Sequence, residues 1–387
     1  MNAHGALDRV EQIMAQFAAE TGLTGACAPR RYLWTDAFAV CNFLELYRQT
    51  GDESQRERAL QLVDQVHHVL GRHRKDDPRR GWLSGLDDEE GEKHPTQGGL
   101  RIGKKLPERR EGEPLDERLE WERDGQYFHY LTRWMHALRR VSEVTGDATP
   151  LRWAAELAKS AYDAFVYAPR MVWKKSIDLS RPLVPSMGQH DPLDGYLTLQ
   201  ELQHASTAYN TAREAWPRLE AEIAGMAAIC HGKTWTTVDP LGLGGLLYDA
   251  FRAARLRAAG ASGVRPLPQA LLDDARMGLQ AYLRQQPLNL PASYRLPFRE
   301  LGLAIGFHAL QKLGDALEEA QASVAEDEGL VHQLPALLTH APLAEQIEAF
   351  WCEPAHQESN TWIGHPEINA VMLATSLAPG GYLGPWR

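Results

Sequence analysis

Apolar residues line one side of a helix in the first readable stretch of the chain. In residues 6–21, Leu7, Val10, Ile13, Met14 and Phe17 recur at spacings of three and four, the stripe of an amphipathic helix. The same period predicts helices over 6–21, 35–49, 53–72, 124–144, 149–166, 192–205, 211–229, 241–259, 267–285, 298–313, 329–350 with a break, and 366–377. Alternation of period two is nearly absent. Its candidates are the short stretches Met171-Val172-Trp173 and Ser176-Ile177-Asp178.

The breaks between stripes say how the helices connect. Thr50-Gly51-Asp52, Thr145-Gly146-Asp147 and Leu313-Gly314-Asp315 each offer a glycine to end one helix and an aspartate to cap the next, the signature of a tight helical hairpin. Helices after the longer connections start instead with mixtures of aromatic and acidic residues. Their acidic markers Asp36, Asp124, Asp194, Asp239, Glu300 and Glu367 are separated by 88, 70, 45, 61 and 67 residues. That is a unit of about 66 residues, and six such units need about 396. The chain has 387. The pattern predicts one all-α domain over residues 1–387, made of six helix pairs that bury their stripes against one another.

Composition narrows the function classes. Lys+Arg 41 against Asp+Glu 51 gives a formal net charge of −10, which argues against nucleic acid or anionic lipid as the main partner. No apolar run is long enough to cross a membrane, and the amino terminus lacks a secretory pattern, so a cytoplasmic location is expected. Cys27, Cys41, Cys230 and Cys352 are few and far apart, which suits reduced thiols. Tryptophan is unusually common, 11 residues against 9 phenylalanines, and Trp34, Trp121, Trp235 and Trp362 all fall where the longer connections enter helices.

Six helical hairpins with acidic, aromatic-rich starts to every second helix resemble the (α/α)6 toroid of carbohydrate-active enzymes. That superfamily holds six-hairpin glycoside hydrolases, unsaturated glucuronyl hydrolases and the N-acylglucosamine 2-epimerase group. Trp34-Thr35-Asp36-Ala37-Phe38, running to Tyr47 and Thr50-Gly51-Asp52, is similar to the first inner helix of the glucuronyl hydrolases. His190-Asp191-Pro192-Leu193-Asp194-Gly195-Tyr196 loosely approaches their His-Asp-Gly-Phe type motif, but later in the chain. The resemblance implies a site at one end of the toroid, where the inner helices begin, and a small saccharide as the partner.

Sugars stack their ring faces on aromatic side chains and bind planar polar groups through their hydroxyls. Trp34, Trp121, Tyr127, Tyr196, Trp235 and Trp362 are the candidates for the first task. Asp36, Gln126, Gln189, His190, Arg299 and His365 are candidates for the second. Glycoside hydrolysis needs one protonated and one ionised carboxyl, and Asp124, Asp194 and Glu367 are the candidates for that pair. Each of these acids, standing at a helix start, equally fits the plainer role of cap and dipole partner. Two long connections, 74–120 and 168–191, are expected to form the rim. The first carries Trp82 between glycines and the bases Arg101, Lys104, Lys105, Arg109 and Arg110, which suit a lid over an anionic sugar.

The main expectation is therefore a hydrolase of a small saccharide, neutral or anionic, without cofactor or metal. An epimerase or isomerase using His190 and His365 as acid and base is the alternative, since histidine suits proton transfer near neutral pH. A lyase, and a non-catalytic helical scaffold, are further readings. Cys230-His231-Gly232 resembles a zinc-binding step of lanthionine-synthetase cyclases, but the tryptophan-cysteine element, Trp351-Cys352, follows it here where that family has it first. Gly242-Leu243-Gly244-Gly245 follows no strand, so close helix packing suits it better than a phosphate loop.

Overall fold

A computed structural model describes residues 3–25, 27–209, 216–261, 264, 268–319 and 328–385. These form two compact units, one of residues 16–229 and one of residues 1–15 with 230–387. The class is the expected one, all-α, with helical hairpins in each unit. Among the described residues, the strands are five short pieces of two or three residues.

The first unit is built on the helices Leu33–Thr50, Glu53–Leu70, Phe128–Thr145, Thr149–Phe165 and Asp191–Ser206. Two of its hairpins turn where the sequence predicts. Gly51 and Gly146 take left-handed backbone at φ 71° and 74°, and Asp52 accepts a hydrogen bond from the Ser54 amide to start the next helix. The Phe128–Thr145 helix buries Leu131, Trp134, Met135, Leu138 and Val141 at helical spacing. Each such side chain contributes on the order of 1.5–3 kcal/mol by leaving water. The Glu220–Cys230 helix covers the end of the predicted 211–229 element, whose residues 211–215 lie outside the described set.

The second unit is built on the helices Pro240–Ala258, Pro268–Arg284, Pro297–Glu319, Leu343–Cys352 and Pro366–Leu377. Residue 267, the predicted start of the second of these, lies outside the described residues. Here one expectation fails. The Pro297–Glu319 helix runs through Gly314 and Asp315 without turning, because Gly314 makes room for Leu338, whose Cδ1 would sit 3.1 Å from an added Cβ. Gly244 does pack helices closely, as expected: a Cβ there would fall 2.0 Å from the Gly302 carbonyl oxygen. Among the described residues no helix is long and apolar enough to cross a membrane.

The connections of the first unit are more ordered than their lack of periodicity predicts. Residues 74–120 contain the short helix Asp88–Lys93, and Glu117–Glu122 follows. Trp82 anchors this connection instead of facing a ligand. Its ring is 2% exposed, lies under the Arg72 guanidinium, and fills the space that a side chain at Gly91 would need. In the second connection, Lys174–Lys175 pairs with both Gln126–Tyr127 and Pro182–Val184, a small sheet that fixes the entrance to the Phe128–Thr145 helix.

Candidate functional site

Among the described residues, a cluster of touching rings in the first unit forms where two helices begin and a strand connection passes. Trp34 and Tyr32 come from the start of Leu33–Thr50, Tyr127, His129 and Tyr130 from the start of Phe128–Thr145, and Trp173 from the strand connection. Tyr130 lies 5.3 Å from Trp34, 5.2 Å from Tyr127 and 4.8 Å from His129, centroid to centroid. His129 stacks on Trp173 at 5.8 Å with 15° between planes, and Trp121, half-exposed at 51%, meets Trp173 edge-on at 5.0 Å. The Tyr32 and Tyr130 hydroxyls share a hydrogen bond of 2.6 Å.

His129 has a defined protonation state in this setting. The Trp173 indole N–H donates to its Nδ1 at 3.2 Å, so the ring proton sits on Nε2. Burial first, then the nearby Arg133 charge, pushes the imidazole down to about 3, against a smaller opposing pull from Asp194. It is a neutral imidazole that offers an N–H.

Beside it stands Asp191, at the first position of the Asp191–Ser206 helix. Its Oδ2 lies 3.9 Å from His129 Nδ1 and is buried without a hydrogen-bond partner. Burial, reinforced by the neighbouring Asp194 charge and opposed by Arg133, pushes the Asp191 carboxyl up to about 7. Gly188 covers this carboxyl, since a Cβ there would fall 2.6 Å from both its oxygens.

The carboxylates expected to act are otherwise engaged. Asp124 is fully buried. It accepts from Arg101 at 2.6 Å and Arg74 at 3.2 Å on Oδ2, and from the Gly103 and Gly125 amides on Oδ1. The arrangement ties the first rim connection to the helix entrance. Asp194 accepts from the Thr132 hydroxyl at 2.5 Å and from Arg133 at 3.1 Å. Asp36 caps its own helix by accepting from the Tyr32 amide at 2.9 Å, with Arg31 at 3.5 Å. Gln126 binds the Leu100 amide and the Gly98 and Ile177 carbonyls, so it fastens two connections together. Tyr196 is buried, with its hydroxyl accepting from Gln200. Gln189 is exposed and His190 half-buried, next to Asp191.

The remaining candidates belong to the second unit. Trp235 is buried and its amide donates to Asp274 at 2.8 Å, while Trp362 stacks on Trp351 at 5.8 Å. Arg299 pairs with Asp239, which caps its own helix through the Gly242 amide. His365 is exposed, and Glu367 half-buried, at the start of Pro366–Leu377. Cys230 is buried, which pushes its thiol up to about 12 and away from the thiolate that zinc needs. Among the described residues no group of three or more His, Cys, Asp or Glu side chains is placed to hold a metal ion.

Of the sequence candidates, the structure thus brings Trp34, Tyr127 and Trp121 into the ring cluster and sets Asp194 against Arg133, beneath Trp34. Sequence reasoning placed Trp173 in a pocket wall but did not single out His129, Tyr130 or Asp191. The signal for the first two was there: Tyr127-Phe128-His129-Tyr130 is a run of four rings, more than one buried stripe can absorb.

No family model matches the chain, and no curated protein does. Solved structures align with it, two of them sugar epimerases. One is a sugar epimerase from a ruminal bacterium, 11% identical, with 83% of this chain and 86% of that one covered and a TM-score of 0.48. The other is cellobiose 2-epimerase from Spirochaeta thermophila DSM 6192, 13% identical, with 95% and 97% covered and a TM-score of 0.47.

Proposed function

We propose that the chain is a carbohydrate-active enzyme that moves a proton at a carbon next to a sugar carbonyl, an epimerase or isomerase. The observation that carries this reading is the pairing of Asp191, raised to about 7, with a neutral His129 at 3.9 Å, beside a row of aromatic rings. A carboxylate whose pKa lies near the working pH is matched to taking and returning a proton. A neutral imidazole that presents an N–H suits the complementary task of polarising a carbonyl oxygen without giving up its own proton.

In this mechanism the saccharide is bound in its open form against the rings of Trp34, Tyr130 and Trp173. The ionised Asp191 carboxylate removes the proton from the carbon beside the carbonyl. The electron pair moves into the new carbon–carbon double bond, and the carbonyl oxygen gains charge under a hydrogen bond from His129 Nε2–H. Return of the proton to the former carbonyl carbon, with the hydroxyl proton of the adjacent carbon passing to the former carbonyl oxygen, yields the aldose–ketose pair; return to the carbon it left, after the planar enediolate has turned its other face to Asp191, yields the epimer. Hydrolysis is disfavoured because it needs two carboxyls flanking the scissile bond. Asp194 and Asp124 are held by arginines, which leaves Asp191 as the free acid of this cluster.

The test is proton exchange. Incubation with a panel of aldoses and reducing disaccharides in deuterium oxide should place deuterium beside the carbonyl, as read by NMR. Asp191→Asn should stop exchange, and His129→Gln should slow it by about 100-fold or more. Release of new reducing ends from glycosides with no deuterium uptake would overturn the proposal in favour of a hydrolase.

A further inference from the structure

Lys104 is a cation without a counter-ion at the edge of the ring cluster. Its Nζ lies 5.4 Å from the Tyr32 ring centroid, and among the described residues it enters no ion pair or hydrogen bond. Several of the neighbouring bases of the first unit are paired. Arg74 and Arg101 share Asp124, Arg79 pairs with Asp77, Glu108 and Asp178, Arg109 with Glu120, and Lys174 with Glu120.

Lys104 is also held in place. Its amide points at Asp124 Oδ1 at 3.4 Å, its carbonyl accepts from Arg74 at 2.7 Å, and Gly103 before it has left-handed backbone at φ 92° against the Arg31 carbonyl. The backbone is thus pinned on both sides of an unpaired charge. Partial burial pushes the ammonium down, against the pull of the Glu122 and Asp124 charges, neither of which comes within ion-pair distance of it. From Lys104 the rings lead back to the proposed reacting pair: Tyr32 to Tyr130 is 5.6 Å and Tyr130 to His129 is 4.8 Å. Each step is about the width of one sugar ring.

We propose that the substrate is an anionic saccharide, and that Lys104 binds its carboxylate or phosphate at the end of the ring cluster away from His129. This rests on the reading of the site as a saccharide site. Burying the side of the ammonium that faces solvent under a ligand strengthens the attraction, since the pair then sits in a less polar medium. An ammonium point charge accepts either anion, so the choice between them is left to the ligand's shape.

Calorimetric titration with glucose, glucuronate and glucose 6-phosphate, and with a neutral disaccharide and its uronic acid counterpart, tests this directly. The full-length protein should bind at least one charged sugar about tenfold or more tightly than its neutral partner in dilute buffer, and added salt at about 0.3 M should shrink the difference. The carboxylate and phosphate arms identify which anion is used. In Lys104→Met the charged and neutral sugars should bind alike, whereas Lys104→Arg should keep the preference. Equal binding of charged and neutral sugars by the unmodified protein, or a preference that survives Lys104→Met, would overturn the inference. Deuterium exchange confined to neutral sugars would remove the anionic substrate and leave the proton-transfer reading standing. A Lys104-dependent charge preference with no exchange on any sugar would do the opposite.

Discussion

Changing Asp191 to asparagine keeps the shape of the carboxyl and removes its charge, so it isolates what ionisation costs this site. The folded carboxyl titrates at about 7, against an ordinary 3.8 in an unfolded chain. Because the folded value is the higher one, the folded chain holds a proton that the unfolded chain releases. Stability therefore falls as pH rises from about 4 to about 7, and the loss is complete above that. A shift of roughly three units at 1.36 kcal/mol each makes the full cost on the order of 4 kcal/mol. Asp191→Asn should thus unfold at higher temperature than the unmodified protein at pH 8, and the gap should close on acidification to about pH 4. The same ionisation should drive the reaction in the opposite sense. As base, Asp191 must be charged, so kcat/KM should rise with pH through about 7 in the region where stability is being lost. Thermal unfolding of both proteins across pH 4 to 9, with initial rates measured alongside, reads both effects. The reasoning fails if the two proteins keep a constant stability gap across that range, or if the variant is the less stable at pH 8.

Two further substitutions separate structure from chemistry. Asp124→Asn removes the one charge between the Arg74 and Arg101 guanidiniums, so urea unfolding should show a loss of about 3–5 kcal/mol, in contrast to the gain at Asp191. Gly244→Ala places a methyl group 2.0 Å from the Gly302 carbonyl and should cost about 1–3 kcal/mol or more. Gly245→Ala, where an added Cβ meets nothing within 4 Å, should by the same measurement be neutral or gain up to about 1 kcal/mol from helix propensity.

The helical hairpins were legible because their signals are local. A stripe at spacings of three and four is decided by the residues of one helix, and Gly51-Asp52 or Gly146-Asp147 ends one helix and starts the next within two positions. Gly314-Asp315 carries the same letters and was misread, because what decides it is Leu338, more than twenty residues away, packing against the bare glycine. The rim connections were unreadable for a related reason. Their order comes from buried ion pairs such as Asp124 with Arg74 and Arg101, whose partners are distant in sequence and show no period.

The candidate site was half legible, and the division follows from what an acid at a helix start does by default. Recurrence picked out Asp36, Asp124, Asp194, Asp239, Glu300 and Glu367, and the first five have partners that account for them: the Tyr32 amide, two arginines, Thr132 with Arg133, the Gly242 amide with Arg299, and Arg295 with the Trp351 indole. A carboxylate so engaged has its oxygens committed to donors of the fold. Asp191 lies three residues before Asp194 on the same helix, yet Thr132 and Arg133 reach the later acid, and Asp191 keeps a buried oxygen with no donor. That unmet oxygen costs stability, as the pH dependence above makes measurable, and it is also what brings the group's proton affinity into the range where catalysis works. A repeated acidic position therefore marks the scaffold, and the proton-transfer chemistry is expected at the neighbour that the scaffold leaves unpaired.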